Sequence, residues 1–458
     1  MLQNIVSIIC LALALAMFRI KTEYKIGILF LMFQLFSFAK IPVLGRVTFL
    51  IPTCFLISEL RNFRKIKAYL KNTVISTDLM LFLVSILILI IFSPHLHDIN
   101  AIRYVLQEEV LFKYFLLIYG FYACRNISQL KKIIDLSLIG LCVMTLFGVL
   151  NYITKSSYYV GALMGGYDTS SMFNGAMNFS AMFADSSRFR VNSTFLNPFD
   201  YGFMCIALAL FYSYAFQKKI IKKKIYYFSL LACAFGVVAC GSRTTILVAM
   251  IAGLVYVFCA FQLGKKIKLL FVVFFISIIG YFTIPAVSEK VDFAMSAFDE
   301  NSDVGGSSME GRTAQYAAVF YHIKDSPLFG KGYLYFTIDL GWGKGKDYIV
   351  DKDLFGLEGV AMNYLLERGF VGYVFYLLFY IILFVYLIKN RRKGKNEFAL
   401  GVSILAAYFA YANMTGELFS AQPTLLILGC TIGIIYNKNI NNNKVWNQKY
   451  QSLSLLSK

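Results

Sequence analysis

The sequence predicts an all-α polytopic membrane protein with about 12–14 transmembrane helices. Three observations carry that prediction. The chain of 458 residues is 59% hydrophobic and only 15% charged, with a mean hydropathy of +0.65. Apolar runs of about 15–20 residues recur along almost its whole length, as a bilayer demands of segments that must satisfy their own backbone. Between these runs, the strongly basic stretches fall in every second connection, the mark of loops left on the cytoplasmic side.

Taken in order, Asn4–Phe18 is followed by Arg19, Lys21 and Lys25, which set its N-terminus outside. It lacks a basic leader and a small-residue cleavage site, so it reads as a retained helix. Ile26–Ala39 and Val43–Ser58 are short spans interrupted by Lys40, Pro42 and Arg46, and Arg61–Lys71 is an inner loop. Leu79–Phe92 and Val110–Cys124 flank an outer loop, Ser93–Glu109, after which Arg125, Lys131 and Lys132 mark the inside. Ile133–Ile153 leads to a second outer loop, 154–199, and Tyr201–Phe216 returns to Lys218–Lys224, the strongest inner marker. Tyr226–Cys240 and Thr244–Phe261 form a tight hairpin around Gly241-Ser-Arg-Thr244 at the outer face. Lys268–Val287 then leads out to the longest polar passage, and Gly369–Ile388 returns to Lys389–Lys395. Phe398–Met414 and Thr424–Tyr436 complete the bundle. The division is one transmembrane domain, residues 1–437, and a cytoplasmic tail, 438–458, whose Asn- and Lys-rich composition reads as disordered.

The net charge of +19 comes from 44 Lys and Arg against 25 Asp and Glu. Most of the excess lies in the inner loops, where it suits anionic membrane lipid and calls for no nucleic acid. The nine cysteines fall within or beside apolar spans and none lies in the two large outer loops, so no disulfide framework is implied. His95, His97 and His322 are the only histidines. With no CxxC and no HxxxH spacing, neither a metal nor a cofactor is expected.

The outer passage from Ser288 to Gly359 carries 7 Lys/Arg and 12 Asp/Glu in 72 residues. Loops this long inside a compact chain are usually functional or disordered. It begins flexibly at Asn301–Ser308 and then acquires a helical pattern from Glu310-Gly-Arg312, with Tyr316, Phe320 and Ile323 expected on one face. Ser326-Pro327 should stop that helix, because proline pushes its predecessor out of the helical region. Phe329-Gly-Lys-Gly332 follows as a turn. The expectation is a short amphipathic helix lying over a membrane-embedded cavity, with Arg312 near its start.

Charged residues at the lip of a membrane bundle cost about 2.5–3.5 kcal/mol on insertion scales, so they call for a reason. Arg188 and Arg190 close the second outer loop, Arg243 sits in the outer hairpin turn, and Arg312 opens the amphipathic helix. The planar guanidinium gives parallel, charge-assisted hydrogen bonds to phosphate, so Arg190, Arg243 and Arg312 together would fit a pyrophosphate. Taken singly, each also fits a snorkelling or loop-capping arginine. The acidic candidates for a base are Asp347, Asp351, Asp353, Glu358 and Glu367. Glu358 stands just before the return helix, where a partly dry setting would tune it towards base work. Asp347–Asp353 read as solvated loop charges and His322 as a polar residue on the exposed helix face. The outer aromatics Tyr158, Tyr159, Tyr167, Phe173, Tyr333, Tyr335, Phe336 and Trp342 form either an interfacial belt or a sugar-stacking surface. Trp342, set between glycines, and Tyr335 are the sugar-binding candidates.

Three stretches together resemble the O-antigen polymerase and O-antigen ligase superfamily. They are Arg190 through Asn197-Pro198 to Gly202, Ser242-Arg243-Thr244, and Gly311-Arg312 through Ser326-Pro-Leu-Phe-Gly-Lys-Gly332 to Asn363-Tyr-Leu-Leu-Glu-Arg-Gly-Phe-Val-Gly372. The resemblance covers roughly Arg188 to Ile388. It implies a GT-C-like, all-helical glycosyltransferase of the bacterial inner membrane, acting on its extracytoplasmic face on a polyprenyl-pyrophosphate-linked oligosaccharide. By position, Arg190, Arg243 and Arg312 would contact the donor pyrophosphate, and a chain-length regulator protein is a partner compatible with the family. Ligases of the superfamily carry a His-Asn pair about nine residues before the Glu of the Glu-x-Gly-x-x-Gly ending. Glu358-Gly359 stands there instead, which favours the polymerase branch, with Glu358 and Arg312 as catalytic residues. The paired Arg-x10-Gly motifs of some polymerases are not met cleanly, since eleven residues separate Arg190 from Gly202. A ligase remains the alternative. A polysaccharide flippase is disfavoured because the cationic residues sit at the ends of spans, not along a path through the midplane.

Overall fold

The computed structural model describes residues 2–41, 45–71, 73–94, 102, 105–164, 190–268, 309–335, 339–341, 359–417 and 420–456, with the single positions 271, 275, 281, 282, 288, 292, 351, 354 and 357. The described elements are helical except for a two-residue antiparallel ladder, β1 (Lys40–Ile41) on β2 (Gly45–Arg46). In chain order the helices are α1 (Leu2–Ala16), α2 (Thr22–Leu35), α3 (Val47–Glu59), α4 (Phe63–Leu70) and α5 (Val74–Phe92). A π-helical stretch, Leu106–Tyr114, runs into α6 (Phe115–Ala123), followed by α7 (Ile127–Thr154), α8 (Tyr158–Met164), α9 (Pro198–Gln217), α10 (Lys223–Ala239) and α11 (Arg243–Ala260). After these come α12 (Met309–Ile323), α13 (Val360–Lys389), α14 (Lys395–Thr415) and α15 (Ala421–Leu456).

Every apolar run named above falls on one of these helices except Lys268–Val287, which lies almost wholly outside the described residues. Among the described residues, five helices, α7, α9, α11, α13 and α14, are long and apolar enough to cross a membrane. The count is six if α3–α4 and α5, which meet at a bend of 108°, form one broken span. The chain is thus an all-α, multi-pass membrane protein. The other expected spans rest on shorter helices, such as α1 and α2 of 15 and 14 residues.

Burial sorts the bundle. In α9, 78% of the apolar window is inside the protein, against 28% in α11, so α9 is the core helix and α11 faces outward. Phe203, Phe211, Tyr212 and Tyr214 of α9 are all buried. α9 and α11 pack on α14, while α6 packs on α15 through glycine. A Cβ on Gly429 would come within 2.3 Å of the Leu117 carbonyl oxygen, and one on Gly120 within 2.6 Å of that of Leu426. Small residues let helix backbones approach this closely where no hydrophobic effect drives association in lipid.

Buried ions fasten the basic end. Glu397 Oε1 accepts from Lys218 at 2.9 Å, Lys438 at 2.6 Å and the Tyr214 hydroxyl at 3.1 Å. This gathers the ends of α9 and α14 against α15. α15 continues to Leu456, where the sequence suggests a disordered tail. Extending an anchored helix costs far less than starting one, and the anchor at Lys438 supplies the start.

α12 forms and ends at Ile323, as Ser326-Pro327 requires, but of the three residues expected on one face only Ile323 is buried. Gln315, Ala318, Val319 and Ile323 are buried, whereas Tyr316 and Phe320 are 39% and 48% exposed. The small Ala318 and the branched Val319 fit against Leu340, Leu354, Leu357 and the Met362–Leu366 stretch of α13. Rings at 316 and 320 are too large for that seam.

Candidate functional site

The site is organised around a break in α13. Gly369 has φ 62° and ψ −167°, which interrupts the helical ladder and leaves backbone groups on both sides without helical partners. The 327–332 loop supplies them. Lys331 N–H donates to the Leu366 carbonyl at 2.8 Å and Gly332 N–H to that of Glu367 at 2.9 Å. In return, Phe370 N–H donates to the Pro327 carbonyl at 2.9 Å and Val371 N–H to that of Leu328 at 3.0 Å. Such closeness requires glycine on both chains. A Cβ on Gly330 would meet the Gly369 nitrogen at 2.6 Å, and a Cβ on Gly369 would meet the Gly330 nitrogen at 2.5 Å. Helices are interrupted at membrane depth only where something else satisfies the backbone, and broken helices commonly frame substrate sites. The same loop is tied to the end of α5, where Tyr333 N–H donates to Ser93 Oγ at 2.9 Å and the Phe92 and Phe329 rings stack.

The break sets two consecutive side chains at its edge. Arg368 is buried and donates through Nη2 to Glu109 Oε1 at 2.7 Å, with its guanidinium 4.1 Å from the Tyr364 ring centroid. Lys113 shares the Glu109 oxygen at 3.1 Å and reaches Glu417 Oε2 at 2.5 Å. Glu417 Oε1 accepts from the Tyr408 hydroxyl, which in turn bonds the Tyr376 hydroxyl at 3.1 Å. Two positive and two negative groups thus close on one another, joining the π-helical stretch, both halves of α13 and the end of α14. Glu367 points the other way, and its Oε1 accepts from Leu334 N–H at 3.1 Å. Glu367 and Arg368 both line a narrow cleft between α5 and α13, with Ser85, Ile88, Leu89 and Phe92 also lining it.

Two of the expected phosphate-binding arginines come together at the same end of the bundle. Val191 N–H donates to the Ala239 carbonyl at 3.0 Å, which lays the segment before α9 along the end of α10. Arg190 consequently lies against Gly241, whose Cβ would come within 3.1 Å of Arg190 Cγ, and above the Phe199 ring at 5.4 Å. The turn has φ 63° at Gly241, and Ser242 caps α11 by accepting from Thr245 N–H at 3.2 Å. That cap places Arg243 at the first position of α11, two residues after the glycine that Arg190 touches. Nearby, Asp200 in the first turn of α9 accepts from the Tyr411 hydroxyl of α14 at 3.4 Å.

Arg312 lies in the first turn of α12, and its side chain falls outside the described residues. Glu358, Trp342, Asp347, Asp353, Tyr167, Phe173, Phe336, Arg188, His95 and His97 lie outside them altogether. Gly359, next to Glu358, packs on α14, where its Cβ would lie 3.1 Å from the Asn413 carbonyl oxygen. His322 is no exposed polar residue. Its Nδ1 bonds the Tyr335 hydroxyl at 3.1 Å and its Nε2 bonds Asp351 at 3.0 Å, so Asp351 is not a simple solvated charge either. Burial pushes the Tyr335 phenol above its ordinary range, and the Asp339 and Asp351 carboxylates add to the shift. Tyr159 and Tyr333 are buried and pack inside the protein, leaving Tyr158 as the exposed member among the described residues of that group. The Glu109–Arg368–Lys113–Glu417 set escaped the sequence reading because its members are far apart in the chain. One signal was available: Glu109 and Lys113 stand four residues apart at the start of an apolar run.

The comparisons bear on this end of the bundle. Residues 228–377 match the family model for O-antigen ligase. That match places this segment in the O-antigen ligase/polymerase superfamily. No curated protein matches the chain. Within the matched segment fall Arg243, Arg312 and both halves of the backbone joint, 326–332 and 363–372, while Arg190 lies outside it. Superfamily members are membrane enzymes of the glycosyltransferase type, and a lipid-linked glycan is the substrate class this implies.

Proposed function

We propose that the chain is an O-antigen or capsular repeat-unit polymerase of the bacterial inner membrane. It transfers a growing glycan from its polyprenyl-pyrophosphate carrier to the terminal sugar hydroxyl of another lipid-linked unit, on the extracytoplasmic face. The observation that carries this reading is the meeting of Arg190 with the Gly241–Arg243 turn at the end that also holds the α13 joint. Arginine is the donor suited to the charge that develops on a departing pyrophosphate. Arg312, at the start of α12, would join them, and Glu358, one residue before Gly359 in the chain, would deprotonate the acceptor hydroxyl. Trp342 and Tyr335 would meet sugar; the Tyr335 hydroxyl bonds His322 Nδ1.

The ligase reading is favoured by the description of the matching family. Against it stands Glu358 at the register where a ligase has its histidine, while the described histidine, His322, has both ring nitrogens engaged. The deciding experiment is glycan extension in membranes supplied with a lipid-linked repeat unit. A ladder of lengths supports polymerase. Transfer of preformed glycan to a different acceptor, with no ladder, assigns the chain to the ligases.

A further inference from the structure

Three side chains from separate segments meet at the end of α12. His322, in its last turn, bonds the Tyr335 hydroxyl through Nδ1 at 3.1 Å and Asp351 Oδ2 through Nε2 at 3.0 Å. The chemistry of the three groups fixes where each proton stands. A carboxylate accepts and cannot donate, so the proton of a neutral imidazole sits on Nε2, facing Asp351. Nδ1 is then the acceptor, and the Tyr335 hydroxyl is the donor to it. Burial, and after it the Asp339 and Asp351 carboxylates, push the phenol above its ordinary range, so it keeps the proton it shares. A hydroxyl has one proton and two lone pairs. With the proton committed to His322, Tyr335 can meet a further partner only as an acceptor.

The cluster reaches the surface. The side chains of His322 and Asp351 are 15% and 26% exposed, and Tyr335 is half-buried. Tyr321, edge-on to the imidazole at 6.0 Å between ring centroids, is 66% exposed. Asp339 follows Tyr335 by one turn, its N–H donating to the Tyr335 carbonyl at 3.0 Å, and it is exposed as well. What this patch offers is therefore a phenol oxygen flanked by two carboxylates. Phosphate and carboxylate groups bring only acceptors and negative charge, so they gain nothing from it. A neutral group that donates a hydrogen fits it, and on a lipid-linked glycan that group is a sugar hydroxyl.

We propose that Tyr335 accepts the hydrogen of a glycan hydroxyl, and that His322 and Asp351 are the positioning residues that make its phenol an acceptor. The choice of a glycan rests on the reading of the chain as an enzyme of lipid-linked glycan, with Tyr335 as a sugar contact. The two ends of the substrate are then told apart by hydrogen-bond direction. Arginines, which only donate, suit the pyrophosphate, and Tyr335, which here only accepts, suits the sugar.

The test has two arms, both on the full chain in phosphatidylcholine nanodiscs. In the first, the chain carries ¹⁵N-histidine, and the His322 signal is assigned by its loss in His322→Gln. In mildly alkaline buffer it should report a neutral ring protonated on Nε2. A proton on Nδ1 would turn the Tyr335 hydroxyl outwards as a donor and overturn the proposal. Asp351→Asn removes the bias, because an amide can donate or accept, so the second tautomer should appear; Asp351→Glu should restore the first. The second arm measures binding, without turnover, of the lipid-linked repeat unit isolated from cells that make this chain, beside the bare polyprenyl pyrophosphate. Tyr335→Phe should weaken the repeat unit about threefold to tenfold, as loss of one neutral hydrogen bond does, and leave the bare carrier unchanged. Asp351→Asn should weaken it less, and serves alone if Tyr335→Phe does not fold. Unchanged affinity in a folded Tyr335→Phe assigns the cluster to structure and overturns the proposal. Equal loss for both lipids does the same, since the contact is then not with sugar. Failure here is separable from failure of the polymerase reading. A chain that binds the repeat unit through Tyr335 but never extends it keeps this contact and loses that function; one that extends glycan with Tyr335 idle does the reverse.

Discussion

Arg243 and Arg312 are the residues on which the proposed chemistry leans hardest. Arg243 is placed by a helix cap and Arg190 by its neighbour Val191, whose N–H donates to the Ala239 carbonyl of α10. Removing one preorganised donor to a developing charge costs about 3–4 kcal/mol in well-studied sites. Arg243→Ala and Arg312→Ala should each abolish extension, with Arg→Lys rescuing only part, because the two-pronged contact is lost. Glycan ladders at matched membrane expression check this, and full-length chains from either alanine variant would assign that arginine to structure. Glu358→Gln keeps shape and removes the proton acceptor, so the ladder should collapse to single units, as a positioned base contributes about 10²–10⁴-fold. Glu367→Gln should matter less to that step, since its carboxylate already accepts from Leu334 N–H; a stronger effect at 367 than at 358 would reverse the assignment of the base. These residues stood out in the sequence because a charge in an apolar chain is conspicuous by itself, and their roles remain proposals. Arg368 was no less visible, but its value comes from Glu109, which is 259 residues away.

At the scale of the element, the 327–332 loop and α13 form one unit. Read along the chain they are two short glycine-containing motifs with a polar passage between them, and nothing in either reveals that each completes the other's hydrogen bonds. The sequence did indicate the turn and the helix stop. Of the face it named on α12 only Ile323 is buried, because residues at i, i+4 and i+7 can share a face without all being the ones that neighbouring helices leave room for. The joint makes a sharp demand on two glycines. Gly369→Ala would force a Cβ to within 2.5 Å of Gly330 N and the Leu328 carbonyl at a positive φ. Strained backbone alone costs about 1–3 kcal/mol, so detergent-purified protein should melt lower and extension should fail. Gly253, inside α11, is the contrasting case, since a Cβ there meets nothing within 4 Å. Gly253→Ala should hold or raise the melting temperature, with a gain of about 0.5–1 kcal/mol. A drop at Gly253 equal to that at Gly369 would show that helix packing, not the joint, governs both.

Over the whole molecule, the alternation of basic loops located nearly every helix, because lipid imposes one rule on all of them. Their partners were not legible, since apolar runs look alike whichever neighbour they touch. The structure nevertheless gathers the ends of the chain in a way that agrees with the charge pattern. Lys218, Glu397 and Lys438 meet at one end, while Arg190, Gly241 and, around the end of α14, Asp200 and Glu417 mark the other. By the positive-inside rule we propose that the first end lies in the cytoplasm and the arginines outside, as a lipid-pyrophosphate polymerase would require. Single cysteines at Ser307→Cys and Lys222→Cys, in a chain freed of its nine native cysteines, test this in intact cells with an impermeant thiol reagent. Ser307→Cys should label at once, and Lys222→Cys only after the membrane is permeabilised. The reverse pattern would turn the whole bundle over and put the arginines on the side facing nucleotide sugars. It would thereby remove the reason for a polyprenyl-linked donor, whatever the alanine variants showed.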